Sequence, residues 1–192
     1  MNVARRAQAI LADPFREWAA IDKEPGDPVY VLSRYVAVLA LVPAVFSFSG
    51  ACIVGVVLPN GGLVRAPLVN GAFGAILGYV LSCAIVLVLG VIINLVAPLF
   101  GGRRDFDSAF KLAAYSFTPA WLAGVFLILP GLQFLTLTGF WGAYILWLGL
   151  PLLIKSSGAK SVAFTVLIVL CAFALAFAAA MAQRVIFGTP GL

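Results

Sequence analysis

A serine, a threonine, a proline and a tryptophan stand close together in the stretch YSFTPAW, residues 115–121. A serine or threonine hydroxyl becomes a nucleophile when a neighbouring base takes its proton, and histidine is the usual base. The chain has no histidine and neither a G-x-S-x-G nor an H-E-x-x-H motif. These residue types therefore predict hydrogen bonding rather than catalysis, and we predict that the protein is not an enzyme.

Pro119 gives the hydroxyls in this stretch a structural task. Because proline has no N–H, the carbonyl of Tyr115 loses its helical partner. A bare carbonyl is costly in hydrocarbon, so another donor must satisfy it. Ser116 and Thr118 are predicted to be well placed to help, with neighbouring helices or a water as the other possible donors.

Pro151 predicts a second bend, which frees the carbonyl of Trp147. Two bent helices side by side either enclose a polar pocket inside the membrane or only shape the bundle, and the sequence leaves both readings open. The amide of Asn94 is expected to bond across to another helix, with a substrate contact as the alternative. The candidate intramembrane site comprises Asn94, Tyr115, Ser116, Thr118, Pro119, Trp121, Trp147 and Pro151.

The acidic pair Asp105 and Asp107 follows the sequence GGRR and has two interpretations. It is either a phosphate- or metal-binding loop or the start of a helix, where carboxylates complement the helix dipole. We favour the helix start. The three cysteines, Cys52, Cys83 and Cys171, are far apart and have no metal-ligand spacing. No cofactor and no metal site is predicted.

The elements that position these residues must lie in lipid. Hydrophobic residues make up 64% of the 192 residues and charged residues only 10%, whereas soluble domains are about 45–50% apolar and about 25% charged. The net charge of +5 is therefore interpreted as the mark of a cytoplasmic membrane face, and no nucleic-acid partner is expected.

Five apolar segments are long enough to span a bilayer, which takes about 20 residues. They predict an all-α integral membrane protein, a bundle of five transmembrane helices that forms a domain over residues 30–192. The third and fourth segments, separated by a Pro-Gly pair, predict a tight hairpin; one broken helix and four spans is the alternative. The predicted spans are 30–58, 73–99, 112–129, 135–154 and 162–187.

Lysines and arginines indicate the orientation. With five spans, ten of the twelve fall on the side of the N-terminus, and only Arg65 and Arg184 fall on the other. Because cytoplasmic loops carry the excess of these residues, the N-terminus is predicted to be cytoplasmic and the C-terminus external. The ten are Arg5, Arg6, Arg16, Lys23, Arg34, Arg103, Arg104, Lys111, Lys155 and Lys160.

Residues 1–29 form a separate amphipathic segment, in which apolar residues recur at helical spacing. Asp13 followed by Pro14 is typical of a helix start, so two short helices with a bend are predicted. The apolar face either lies on the cytoplasmic membrane surface or packs under the bundle. The candidate cytoplasmic interaction face comprises Phe15, Trp18, Ile21 and Glu24.

The stretch at residues 114–126, AYSFTPAWLAGVF, resembles the hallmark of the bacterial branch of the Yip1 family. Three further stretches resemble parts of the same family in the same order: DPFREWAAIDKEP at 13–25, FGGRRDFDSAFKLAAYS at 100–116 and YILWLGLPLLIKSSGAKSVAFTVLIV at 144–169. The residues that match are Pro14, Trp18, Glu24, Gly149, Pro151 and Lys155.

The resemblance implies five spans and a cytoplasmic N-terminus, in agreement with the lysine and arginine distribution. Eukaryotic members of the family are trafficking factors that bind Rab-type GTPases and each other. This chain lacks their Asp-Leu-Tyr-Gly-Pro stretch, so a Rab-type GTPase is not expected as a partner.

The predicted function is that of a multi-pass protein of the bacterial inner membrane. We predict a non-enzymatic scaffold, adaptor or membrane-organisation factor whose partners are the lipid bilayer and other membrane proteins or a second copy. The alternative is a small transporter or channel component for a neutral or lipidic substrate. The absence of acidic or basic residues near the middle of any predicted span argues against ion coupling.

Overall fold

The computed structural model describes residues 2–57 and 62–187, and within them five helical segments are long and apolar enough to cross a membrane. The predicted all-α bundle of five membrane helices is thereby confirmed. The hairpin of the third and fourth segments is confirmed as well, and the four-span alternative is wrong. The segments, called spans 1 to 5 below, are Pro28–Val54, Leu68–Phe100, Phe106–Ile128, Gly131–Ile154 and Lys160–Ile186.

The α-helices follow the order of the chain. Two precede the spans, α1 (Val3–Ala12) and α2 (Pro14–Ile21), called the N-terminal pair below. The others are α3 (Pro28–Val31), α4 (Ala37–Phe48), α5 (Leu68–Val96), α6 (Phe106–Ser116), α7 (Thr118–Ala123), α8 (Trp141–Gly149) and α9 (Gly158–Phe187).

Short π-helical and 3-10 segments complete the spans, and two short strands lie in one loop. The π-helical turns are Leu32–Val36, Ser49–Val54 and Leu150–Ile154, and the 3-10 helices are Ala97–Phe100, Gly124–Ile128 and Pro130–Phe140. Between spans 1 and 2, two short antiparallel strands pair with each other, β1 (Val56–Val57) and β2 (Leu63–Val64).

Aspartates begin three of these helices. Asp13, Asp27 and Asp105 each accept a hydrogen bond from the backbone N–H three residues later, at 2.9–3.3 Å. Pro14 and Pro28 follow the first two and occupy positions where a helix needs no N–H donor. The predicted bend at Asp13 is confirmed, and so is the interpretation of Asp105 as a helix start.

The N-terminal pair packs against the bundle. Ile10, Trp18 and Ile21 are fully buried, and the Trp18 indole Nε1 donates a hydrogen bond of 2.9 Å to the carbonyl of Ile145, in α8. The apolar face of the pair therefore covers protein, as the second of the two sequence interpretations had it.

Span 3 is the central helix of the bundle. In its most apolar stretch 61% of the residues are buried, against 17% in span 5. It begins at Phe106, earlier than the predicted 112, because Asp105 caps α6 and adds a partly exposed first turn ahead of the apolar stretch. Span 2 likewise begins at Leu68 and not at 73. The predicted ranges also include residues 58 and 188–192, which lie outside the described residues.

Candidate functional site

The bend of span 3 forms where the sequence predicts it. Helix α6 ends at Ser116 and α7 starts at Thr118, with Pro119 in its first turn. The Thr118 hydroxyl donates a hydrogen bond of 2.7 Å to the carbonyl of Tyr115. The prediction that Thr118 satisfies this carbonyl is confirmed.

Tyr35 of span 1 completes the arrangement. Its hydroxyl oxygen lies 2.6 Å from Oγ1 of Thr118. Because the only hydroxyl hydrogen of Thr118 goes to the Tyr115 carbonyl, Tyr35 must be the donor in this second bond. The rings of Tyr35 and Tyr115 meet edge to face with centroids 4.6 Å apart. The sequence analysis missed Tyr35, since no local signal distinguishes it from other aromatic residues of span 1.

Ser116 does not help the carbonyl, so that part of the prediction is wrong. Its side chain is buried, and its Oγ has no hydrogen-bond partner among the described residues. The neighbouring Thr118 already occupies the carbonyl, while Ser116 lines a cavity on another side of the helix.

Trp121 and Asn94, the remaining candidates on spans 3 and 2, do not take part in the hydrogen bonds at the bend. Trp121 is buried and donates from Nε1 to the Ser82 hydroxyl at 2.8 Å, which ties span 3 to span 2. The Asn94 side-chain oxygen is buried but makes no hydrogen bond to a described residue. The predicted bond of the Asn94 amide to another helix is therefore not made by its oxygen: the sequence shows the amide but not whether a donor stands opposite.

The second bend does not meet the first. Trp147 is 41% exposed, and Pro151 lies in the π-helical turn that follows α8. Beside this bend, Gly149 faces the N-terminal pair, since a Cβ built on it would lie 2.7 Å from Cε2 of Trp18. The prolines at the two bends therefore do not share one polar pocket.

A cavity of about 320 Å³ does exist among spans 2, 3, 4 and 5, and it is almost entirely apolar. Ser116 is among its lining residues, but Tyr115, Thr118, Trp147 and both bend prolines are not. Its buried wall includes Leu89, Ile93, Leu146 and Ile168. Of the predicted intramembrane site, only Ser116 contributes to this cavity.

A charged cluster that the sequence analysis missed joins the N-terminal pair to span 3. Arg6 forms ion pairs with Glu17, at 2.5 Å, and with Glu24. Its guanidinium carbon also lies 5.9 Å from the centroid of the Tyr115 ring. Burial by itself lowers the pKa of Arg6, but the hydrogen bond and charge of Glu24 and the charge of Glu17 outweigh burial and raise it. Arg6 therefore stays charged.

Lys111 is the second buried cation of this region. Its Nζ donates to the carbonyls of Ile21, at 3.3 Å, and Glu24, at 2.7 Å. The Ile21 carbonyl also accepts from the backbone N–H of Glu24 at 3.2 Å, and a lysine near a helix C-terminus is well suited to bind such carbonyls. The sequence analysis counted Lys111 only as a cation for orientation, because its partners are 87 and 90 residues away.

The four residues of the predicted interaction face are not all accessible. Phe15 is 62% exposed, whereas Trp18 and Ile21 are fully buried. Glu24 is partly buried in its ion pair with Arg6. The exposed surface of the pair therefore includes Phe15 but not the rest of the predicted face.

The described residues contain no cluster of three or more histidine, cysteine or acidic side chains that could hold a metal ion. Asp105 instead binds the first turn of α6, where its carboxylate accepts from the backbone and the hydroxyl of Ser108.

Comparison with known proteins gives one family. The Yip1 domain family matches residues 9–181. Inner membrane protein YohC of Escherichia coli, in strain K12 and in strain O6:H1 CFT073, is 24% identical over 160 residues, which cover 81% of this chain and 82% of the relative. No solved structure matches the chain significantly.

Proposed function

This chain belongs to the Yip1 family, and we propose that it is a non-enzymatic adaptor of the bacterial inner membrane. The family match over residues 9–181 and the relatives named as inner membrane proteins support the location. The proposed topology has the N-terminal pair in the cytoplasm and the C-terminus outside, as the lysine and arginine distribution favours.

The observation that carries the adaptor role is the docking of the N-terminal pair. Trp18 and Lys111 form hydrogen bonds that link the pair to spans 3 and 4, and the Lys155 ammonium lies 3.2 Å from the Asp22 carboxylate. These contacts hold the two helices at one end of the bundle in a fixed position. Such a rigid platform suits the presentation of a binding surface.

The outer side of this platform carries charges of both signs, with Asp13, Asp22 and Asp27 exposed, and is partly apolar. Phe15 is exposed, and so are Arg5, Arg16 and Lys23. The loop between spans 2 and 3 approaches the same end, where the Arg103 N–H donates to the carbonyl of Ile154. We therefore expect the partner to be a membrane-associated protein whose charges complement this mixed surface.

Site-specific photocrosslinking in native membranes tests this role. A photoreactive phenylalanine analogue replaces Phe15 or Ala19, both exposed on α2, and the control position is Leu63, exposed in the strand β2. The expected result is one crosslinked protein from positions 15 and 19 that is absent from position 63 and is strongly reduced by Arg16→Glu. The same products at all three positions, or none at 15 and 19, would contradict the adaptor role.

Point substitutions serve this test better than deletion of the pair. Removal of α1 and α2 would expose the bundle surface that Trp18 and Ile21 cover and would take from Lys111 the carbonyl of Ile21. A loss of function after deletion would then report a damaged fold and not a lost partner.

The cavity favours one second candidate, a transporter or channel component for a neutral or lipidic substrate. Its walls are apolar and it lies between spans, which suits such a substrate. Flux of a lipidic substrate into vesicles containing the purified protein, abolished by filling the cavity, is the expected result for this candidate.

A further inference from the structure

The N-terminal pair indicates where the hydrocarbon core begins along span 3. The guanidinium carbon of Arg6 lies 5.9 Å from the centroid of the Tyr115 ring, and Arg6 forms ion pairs with Glu17 and Glu24. Acidic and basic side chains avoid the hydrocarbon of a bilayer. Tyr115 therefore lies at the level of the lipid headgroups, and the part of span 3 that enters hydrocarbon is the part that follows Tyr115.

This part of span 3 is too short to cross the core. It runs from Tyr115 to Ile128, first through α7 and then through the 3-10 helix Gly124–Ile128. At rises of about 1.5 Å and 2.0 Å per residue it covers roughly 20 Å, whereas the hydrocarbon core is about 30 Å thick. The turn to span 4 is therefore expected about 10 Å short of the opposite headgroups.

Span 1 provides an independent comparison of depth. The rings of Tyr35 and Tyr115 are 4.6 Å apart between centroids, so spans 1 and 3 share a level there. Span 1 then continues to Val54, which at 1.5 Å per residue is roughly 28 Å. At its far end a Cβ built on Gly50 would collide with the carbonyl oxygen of Leu127. The end of span 3 therefore meets span 1 about one helical turn before span 1 itself ends.

The hairpin of spans 3 and 4 also lacks the charged residues that accompany an exit into water. No Asp, Glu, Lys or Arg occurs between Lys111 and Lys155. The other two places where the chain reaches the far side of the bundle each have one nearby, Arg65 between spans 1 and 2 and Arg184 near the end of span 5. The hairpin differs from both, which favours a turn that stays in lipid.

The side chains of the turn suit hydrocarbon. The turn, called the tip below, comprises residues 129–134 with the sequence LPGLQF. Leu129 is 46% exposed and Phe134 is 63% exposed, and Gln133 carries the only polar side chain of the tip. An uncharged surface with large exposed apolar side chains is stable when acyl chains cover it.

Hydrogen bonds near the tip are made within the protein, as hydrocarbon requires. The Leu132 N–H donates to the carbonyl of Leu129 at 2.8 Å, which closes the turn. The hydroxyls of Thr136 and Thr138, at the start of span 4, each donate at 2.7 Å to a carbonyl three residues earlier. Polar groups that face lipid must find such partners because no water is available there.

We propose that spans 3 and 4 form a re-entrant hairpin, which enters the membrane on the side of the N-terminal pair, binds the acyl chains of the opposite leaflet with its tip and returns to the same side. Length and hydropathy would let both segments cross, but the charges packed on Tyr115 determine how deep they reach. Spans 1, 2 and 5 cross completely. The ends of the hairpin stay on one side in either arrangement, so the inference is independent of the orientation and of the adaptor role.

Site-directed spin labelling of the full chain tests the depth of the tip. The native cysteines Cys52, Cys83 and Cys171 are replaced by alanine, and a nitroxide is attached at Gly131→Cys, where a Cβ has no atom within 4 Å. The protein is reconstituted into nanodiscs of phosphatidylcholine and phosphatidylglycerol, which leave both faces open to solvent. Power saturation then compares collisions with oxygen, which concentrates in hydrocarbon, and with a water-soluble nickel chelate.

Two further positions calibrate the depth. Phe177→Cys places the label on span 5, where Phe177 is 67% exposed, and Leu63→Cys places it on the exposed strand β2. We expect the label at position 131 to collide mainly with oxygen, like the label at 177, and the label at 63 to collide mainly with the nickel chelate. Nickel access at position 131 equal to that at position 63 would overturn the proposal.

A charged substitution provides a second test that needs no label. Gln133→Asp places a carboxylate on the tip and should lower the melting temperature in the nanodiscs by about 5–10 °C, because hydrocarbon disfavours the charge. Gln8→Asp, the same substitution at an exposed position of α1, is the matched control and should shift it by less than about 2 °C. Equal shifts in the two variants would show that the tip is in water and would also overturn the proposal.

Discussion

Thr118 holds the bend of span 3 through two hydrogen bonds of defined direction. It donates to the Tyr115 carbonyl and accepts from the Tyr35 hydroxyl. The first bond repairs the helix that Pro119 interrupts, and the second fixes the bend against span 1. At the scale of single residues, the hydroxyl of Thr118 is structural, whereas that of Ser116 is buried and makes no hydrogen bond to a described residue.

Replacement of Thr118 by valine, which has the same shape, should destabilise the protein by about 2–4 kcal/mol. It removes the hydrogen bond to the Tyr115 carbonyl and takes from the Tyr35 hydroxyl its acceptor, at about 1–2 kcal/mol each. The measurement is equilibrium unfolding of the purified protein by dodecyl sulfate in mixed micelles. Thr138→Val is the matched control, because Thr138 is exposed and bonds only within its own turn. A loss no larger than that of the control would contradict the role of Thr118.

Asp105 gives a pH-dependent contribution at the start of α6. Burial acts to raise the pKa of its carboxyl, but hydrogen bonds from Ser108 and the charge of Arg103 lower it below the ordinary 3.8. A carboxyl whose pKa is lower in the folded than in the unfolded protein stabilises the fold at pH values above 3.8. This stabilisation is lost as the pH falls through the lower pKa of the folded protein.

Asp105→Asn should therefore be less stable than the wild type at pH 7, and the difference should shrink as the pH falls below about 4. Melting temperatures of the two proteins across an acidic pH series provide the measurement. A difference that stays constant down to pH 3 would show that the charge of Asp105 contributes nothing.

At the scale of elements, glycines determine how closely spans 3 and 4 approach. A Cβ on Gly142 would collide with the carbonyl oxygen of Ser116, and one on Gly139 would lie 3.0 Å from Cα of Ala120. The hairpin therefore packs backbone against backbone, as small residues allow in membrane helices. This approach also places α8 beside the cavity.

Gly142→Ala should destabilise the hairpin by about 1–3 kcal/mol, the usual cost of overpacking. Gly131→Ala is the control, since a Cβ there has no atom within 4 Å, and it should change stability by less than about 0.5 kcal/mol. Unfolding of both variants in the same mixed micelles gives the comparison. Comparable losses would mean that the contact with Ser116 is not tight.

At the scale of the whole molecule, the N-terminal pair makes the two ends of the bundle different. One end has two docked helices and buried cations, Arg6 and Lys111, whose carboxylate and carbonyl partners lie nearby. Towards the other end lie the short strands β1 and β2.

The proposed orientation can be measured with reporter fusions. Alkaline phosphatase, which is active only outside the cytoplasm, should be active when fused after Arg65 or after residue 187. It should be inactive when fused after Arg104, in the loop between spans 2 and 3. The opposite pattern would place the N-terminal pair outside and exclude a cytoplasmic partner.

The sequence by itself determined the features that depend on neighbouring residues. Apolar length alone indicated five spans, and Asp13, Pro14 and Asp105 marked helix starts because capping acts within one turn. Pro119 predicted the bend of span 3 for the same reason: a missing N–H affects only the carbonyl four residues earlier.

Only the tertiary structure decided which distant groups meet. Trp18 and Ile145 are 127 residues apart in the chain, and Tyr35 and Thr118 are 83 apart. Hydropathy indicates that a face is buried but not what buries it, so it could not choose between lipid and protein for the N-terminal pair. It also could not assign the carbonyl of Tyr115 to Thr118 and leave Ser116 to the cavity, because that depends on how spans 4 and 5 pack around the bend.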